Sequence, residues 1–238
     1  MNIRIILLIF LFQVSGFSGI IAAQEPMNRN WDAEKIKGTR HIPYPTYSGF
    51  PFLNDSWSPG KIEFASGEIA DSLYLRYSSF KDEVVYYNKA ITTQIVIDKN
   101  SLNGFSFTEK DGRTRVFRKQ YYDGFMKGNR YFEVLSDGET DLLSYRKVSL
   151  VTTMPYKDEQ NILKNMVYGT EYQYYFYSQE KGYNLARMNS NSFLSKFVKE
   201  SQKPIKKLLR KNRIRILDEN SFVQAWKVVE KEGFKVIF

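Results

Sequence analysis

From Trp57 to Asp98 apolar and polar residues alternate with a period of two, and turn formers interrupt the run at short intervals. Ile62 and Phe64 alternate with Lys61 and Glu63, a Ser66-Gly67 turn follows, and Leu73, Leu75 and Tyr77 then alternate with Tyr74, Arg76 and Ser78. Val84–Tyr87 and Ile91–Ile97 extend the pattern, with Ile91, Thr93, Ile95 and Ile97 on one face. Such alternation, bounded by Gly, Asn, Asp and Ser, predicts half-buried antiparallel strands. It continues as a meander from about Lys61 to Thr153, punctuated by Asp111-Gly112, Asp123-Gly124, Lys127-Gly128-Asn129 and Ser136-Asp137-Gly138. Met154–Val167 reads as a connection with a short helix over Asp158–Lys164. Glu171–Ser178 and Gly182–Met188 then flank one more hairpin turn.

The period changes after Ser190. Phe193, Leu194, Phe197 and Val198 stand at helical spacing behind caps in Asn189–Ser192. Ser201 caps a second helix, with Pro204 in its first turn and Ile205, Leu208 and Leu209 on one face. Asp218 or Asn220 starts a third, carrying Phe222, Val223, Trp226 and Val229 inward and stopping at Gly233. The predicted fold class is therefore mainly β, an antiparallel meander forming a sandwich, roll or open barrel, with a small α-helical C-terminal region.

Upstream, Met1–Arg4 gives a cationic start, Ile5–Val14 is apolar apart from Gln13, and small residues lead to Ala22-Ala23. This is the layout of a secretory signal peptide cut after Ala23, preferred over a membrane anchor because Gln13, Ser15, Gly16, Ser18 and Gly19 dilute its second half. The expected organisation is a leader at 1–23, an extended Pro-rich lead-in at 24–54, a β domain at 55–188 and a basic helical region at 189–238. Trp31, Tyr44, Tyr47, Phe50 and Phe52 of the lead-in are expected to dock on the first sheet.

Charge changes the picture only at the tail. The 238 residues carry a net +9, but Arg187–Phe238 holds 13 Lys and Arg against 5 Asp and Glu, while Gln24–Ala186 is balanced. The densest part is Lys203, Lys206, Lys207, Arg210, Lys211, Arg213 and Arg215, with no acid among them. These seven are the candidate anion-binding residues, able to attract lipid head groups, lipopolysaccharide or anionic glycan in a salt-dependent way. The competing reading is a solvated helix face whose long stems cover apolar surface. An exported chain seldom meets nucleic acid, so that partner is not expected.

Candidate chemistry adds little. Cysteine is absent and His41 is the sole histidine, so thiol nucleophiles, zinc sites and His-based triads lack their residues. Phosphate-binding glycine loops do not occur. Asp82-Glu83, Asp158-Glu159 and Asp218-Glu219 read as turn and cap residues, not as paired acids of a hydrolase. Accordingly no catalytic residue, cofactor or metal ligand is nominated. The run Tyr168, Tyr172, Tyr174, Tyr175, Phe176 and Tyr177 could serve as a sugar or peptide platform, but strand core with cross-strand packing is preferred. Phe238, behind Phe234 and Val236, would suit the last strand of an outer-membrane barrel, a reading set aside because Phe222–Val229 is spaced as a helix.

Two stretches carry a resemblance. GFPFLNDSWSPGKIEF…LYLRYSSFKDE, Gly49–Glu83, resembles the PFLN…G…LxLRY…DE opening of uncharacterised exported proteins of Bacteroidota. Ile205–Val229, IKKLLRKNRIRILDENSFVQAWKVV, is similar to the basic helix, extended link and closing helix of the same proteins. The resemblance implies a periplasmic or outer-envelope setting and a β-rich body, and it transfers no active site. Some of those relatives carry a lipid-modified Cys, for which this chain has no residue. The sequence thus leads to an exported, non-enzymatic interaction or scaffold protein, with an envelope protein or anionic envelope polymer as partner and no transmembrane span after the leader. Its alternatives are a glycan- or lipid-binding module working through the basic helix, and a carboxylate-dependent hydrolase.

Overall fold

Alternation in the sequence becomes alternation of burial in the computed structural model, which describes residues 36–54, 56–124 and 127–238. The leader and Trp31 lie outside those residues. In β2 (Ser58–Phe64) Ile62 and Phe64 are buried while Lys61 and Glu63 face out. In β3 (Ile69–Ser78) Leu73, Leu75 and Tyr77 are buried on the same principle. The remaining strands are β1 (Gly38–Arg40), β4 (Glu83–Asn88), β5 (Thr93–Ile97), β6 (Leu102–Thr108), β7 (Thr114–Tyr122), β8 (Gly128–Ser136), β9 (Asp141–Lys157), β10 (Leu163–Ser178) and β11 (Gly182–Ala186). All pair antiparallel in one open sheet, ordered β1-β5-β4-β3-β2-β6-β7-β8-β9-β10-β11. The fold class is mainly antiparallel β with small C-terminal helices.

The order shows two meanders joined at a crossover. β2 to β5 run outward in one direction; then a 3₁₀ turn at Lys99–Ser101, capped by Asp98 Oδ1 accepting from Asn100 N at 3.0 Å, carries the chain back. β6 enters beside β2 with Ile62 opposite Phe105. Gly60 permits this approach, since a Cβ there would lie 2.3 Å from Ser106 O. The first core fills the curve of β2–β8. Phe105 and Phe117 stack at 4.6 Å and 5°, with Tyr77 and Tyr131 packed around them.

Between Met154 and Val167 the structure departs from the expected connection. There is no helix at Asp158–Lys164: β9 and β10 form one long hairpin, closed where Asp158 Oδ1 accepts from Gln160 N and Ile162 N at 3.0 and 2.9 Å. Asn161 takes the left-handed conformation of that turn, φ 62°. Backbone bonding across the hairpin satisfies both strands, which a lone helical turn would not. β8 pairs with β9 only at Leu142–Ser144, so the hairpin leaves the sheet as a two-stranded arm. The lead-in clamps it: Tyr168 Oη donates to Pro45 O at 2.7 Å and Tyr156 Oη accepts from Ser48 N at 2.9 Å.

Helices α1 (Ser190–Leu194), α2 (Lys199–Lys211) and α3 (Glu219–Lys231) cover one face of β9–β11. α2 starts at Lys199, three residues earlier than a Ser201 cap predicts, so Pro204 lies beyond the first turn. α3 keeps its predicted ends. Asp218 and Ser221 form a reciprocal capping box, and Gly233 follows at φ 78°. Phe176 meets Trp226 at 4.8 Å in this second core, with Phe193, Phe222 and Ile205 around them. Among the described residues no helix is long and apolar enough to cross a membrane.

Candidate anion-binding surface

α2 is amphipathic because its apolar positions recur at three and four. Ile205 and Leu209 are buried and Leu208 is half-buried against the second core. Lys203, Lys206, Lys207, Arg210 and Lys211 occupy the other side and are exposed. Lys203, Lys207 and Lys211 follow one i,i+4 row, and Lys206 and Arg210 lie beside it. Arg213 and Arg215 continue the exposed surface past the helix end, where Ile214 is half-buried and Ile216 buried. All seven predicted cations are therefore exposed, five of them on the solvent side of α2 and two just past its end. Among the described residues, none of the seven is ion-paired.

The end of α2 is unusual in its residue choice. Arg213 takes φ 57°, with its N–H donated to Arg210 O and that of Ile214 to Leu209 O. Glycine is the common occupant of such a left-handed position, because a side chain there meets the carbonyl. An arginine is held there instead, and its side chain points to solvent.

The helical cap is fixed to the sheet through a buried charge network that sequence reasoning missed. Arg146 of β9 is 1% exposed. Its Nη1 and Nη2 donate to Glu219 Oε2 and Oε1 at 2.6 and 2.9 Å, and its Nε to Glu133 Oε2 at 2.5 Å. Arg115 Nη1 donates to both oxygens of Glu133 at 2.9 Å, and its Nε lies 2.9 Å from Glu109 Oε1. Tyr174 Oη adds a bond to Glu219 at 2.9 Å, and the Tyr172 ring stacks on the Arg146 guanidinium at 4.6 Å. Burial alone would lower the Arg146 pKa. The hydrogen bonds and charges of Glu219 and Glu133 outweigh it and hold the group above the ordinary arginine value. Glu219 behaves conversely: burial pushes its carboxyl up, but Arg146 and Tyr174 pull it below the ordinary 4.5. A sequence signal did exist. Tyr131, Glu133 and Leu135 share strand parity, as do Leu142, Ser144, Arg146 and Val148, so opposite charges sat at inward positions of neighbouring strands.

This network brings two carboxylates together, as Arg118 does with Asp137 and Asp141, and it bears on the hydrolase alternative. Glu133 and Glu219 flank one guanidinium, but each carboxylate is bound by arginine, and arginine-bound carboxylates are poor proton donors. Of the adjacent acid pairs, Asp158 and Asp218 serve a turn and a cap. Asp82 is buried, accepting from Tyr77 Oη at 2.6 Å and Lys99 Nζ at 2.7 Å. His41 packs against Tyr44 and Phe52, and its pKa is lowered by burial and by Arg76. Among the described residues no group of three or more His, Asp or Glu could hold a metal ion.

The aromatic run of β10 is divided by strand parity. Tyr172, Tyr174 and Phe176 face Arg146, Glu219 and Trp226 on the helical side. Tyr175 and Tyr177 turn to the opposite face, where they meet Tyr122, Phe132 and Tyr183. Tyr168 packs on Tyr47 and Phe80. In comparisons with protein-family models, curated proteins and solved structures, the chain matches none.

Proposed function

We propose that the protein is an exported, non-enzymatic interaction protein of the bacterial envelope that docks on a phosphate-bearing anionic surface through α2 and the residues that follow it. One observation carries the reading. Seven exposed cations, without a carboxylate partner among the described residues, lie on or just after a helix whose opposite face is anchored in the core. A helix needing only solubility would intersperse both signs, since i,i+4 acid–base pairs stabilise it and like charges at that spacing oppose it. The left-handed Arg213 adds a cation where glycine would sit with less strain. Export rests on the signal-like Met1–Ala23, and the envelope setting on the resemblance described above.

Vesicle co-sedimentation tests the proposal. The chain is expected to bind phosphatidylglycerol-containing vesicles and not neutral ones. Raising salt from low to physiological strength should weaken that binding severalfold, because each exposed contact is screened within about 8–10 Å. The variant Lys206→Gln, Lys207→Gln, Arg210→Gln, Lys211→Gln should lose most of the binding, each cation near an anionic surface contributing about 1 kcal/mol. Retention equal to the parent protein would reduce these residues to solubilising cover.

A further inference from the structure

The geometry points to a second binding site, independent of the basic helix: a notch in the edge of β10 that accepts an extended, acidic peptide segment of a partner chain as an added strand. β11 pairs with β10 only from Tyr174 to Ser178, with Ala186 opposite Tyr174. On the same edge the lead-in touches β10 at Val167 and Tyr168, where Tyr168 N donates to Ser48 O at 2.8 Å. Among the described residues, nothing pairs with that edge in between.

Parity shows which groups are open. Tyr168 sends its N–H away from β9, so Thr170 and Tyr172, of the same parity, send theirs the same way. Val148, opposite Thr170, agrees: its N–H goes to Ser79 O on the far side of β9, at 3.1 Å. Thr170 and Tyr172 therefore offer two N–H and two C=O groups outward. From Tyr168 to Tyr174 the edge spans about 20 Å, at ~3.4 Å per residue, enough for a short extended segment. An open edge flanked by occupied stretches is the arrangement that strand addition uses.

A cavity of about 510 Å³ adjoins this edge, where β11 ends and the chain turns toward α1. Tyr122, Tyr145, Leu185 and Met188 give it an apolar lining, and Leu185 is 50% exposed. This suits an aliphatic or aromatic side chain of the incoming strand. Lys147 and Arg187 stand against one acid, Glu171, which Lys147 already pairs at 3.5 Å. The excess positive charge selects a carboxylate on the partner. Affinity would come from the backbone bonds, and selectivity from the pocket and the cations.

The probe is a library of fluorescein-labelled hexapeptides in which Glu alternates with an aliphatic or aromatic residue, measured by anisotropy on the purified chain. A saturable binder is expected, and its bound state should slow amide exchange at Thr170 and Tyr172 but not at Glu171 and Gln173, already directed to β9. Thr170→Pro removes one outward donor at a position where an edge tolerates proline, and should weaken binding about 10-fold or more while Thr170→Val keeps it. Lys147→Gln with Arg187→Gln should weaken binding severalfold at low salt and leave the strand intact, which keeps the test decisive if the proline variant unfolds. Three results would overturn the inference: no binder in the library, a binder that leaves both amides unprotected, or an oligosaccharide that fills the notch without protecting them.

Discussion

Arg146 and Glu219 meet in a two-pronged contact, Nη1 to Oε2 at 2.6 Å and Nη2 to Oε1 at 2.9 Å, and this contact ties the first turn of α3 to β9. Arg146 also holds Glu133, so a single side chain links β8, β9 and the helical cap that carries the basic surface. Removing it would leave the half-buried Glu219 without its cation and the buried Glu133 with Arg115 alone. Arg146→Met is therefore expected to lower unfolding free energy by about 3–5 kcal/mol, the usual penalty for breaking a buried pair from one side. Urea denaturation measures it. A double-mutant cycle with Glu219→Gln should return a coupling of roughly 1–3 kcal/mol, since the two act through one contact. Strict additivity would contradict the network.

Two buried acids should pull the pH dependence in opposite directions. Glu219 titrates below its ordinary 4.5, so its contribution is present above that value and is lost as pH falls through the lower folded pKa. Asp82 is shifted the other way, chiefly by burial, against the pull of Lys99 and Tyr77. Its contribution is full below 3.8 and is lost as pH rises through the higher folded value. Urea midpoints from about pH 3 to 6, the carboxylate range, should thus rise less steeply in Glu219→Gln and more steeply in Asp82→Asn than in the parent. Asn also suits the left-handed backbone at this position, φ 57°. Parallel curves for all three proteins would refute both assignments.

Much of this scaffold was legible because its signals are local. Asp111-Gly112 marks a hairpin whose Gly112 sits at φ 84°, and Asp218 with Ser221 marks a helix start. What escaped depends on residues far apart in sequence. The return of β6 to the side of β2 is decided by which strands can share the Phe105–Phe117 core. Met154–Val167 reads as a connection with a short helix, yet cross-strand bonding carries β9 and β10 through it. The role of Arg146 emerges only once pairing sets it beside Glu133 and α3. The seven cations were readable, because a charged helix face needs no long-range pairing to be seen.

Trp226 offers a packing test in the second core. It is 1% exposed, lies 4.8 Å from Phe176, and its indole N–H has no hydrogen-bond partner among the described residues. Trp226→Ala should destabilise by about 3–5 kcal/mol through the cavity it leaves. Trp226→Phe should be far milder, about 1 kcal/mol, because it removes a buried donor that bonds to none of the described residues. Equal losses for the two variants, read from thermal or urea unfolding, would mean that the indole nitrogen is bonded.

Arg213 sets stability against binding at one position. Its left-handed backbone strains any residue with a side chain by roughly 1 kcal/mol, whereas glycine accepts it freely. Glycine also enlarges the conformational freedom of the unfolded chain, which offsets part of that relief. Arg213→Gly should therefore leave stability unchanged or raise it by about 0.5 kcal/mol, and calorimetry would show Tm no lower than in the parent. If the cation is kept for an anionic partner, the same substitution should weaken vesicle binding by about fivefold at low salt, the loss of one charge contact. A variant that is no less stable and binds as well as the parent would remove the reason for an arginine at the end of α2. A loss of stability would instead show that its side chain supports the helix end.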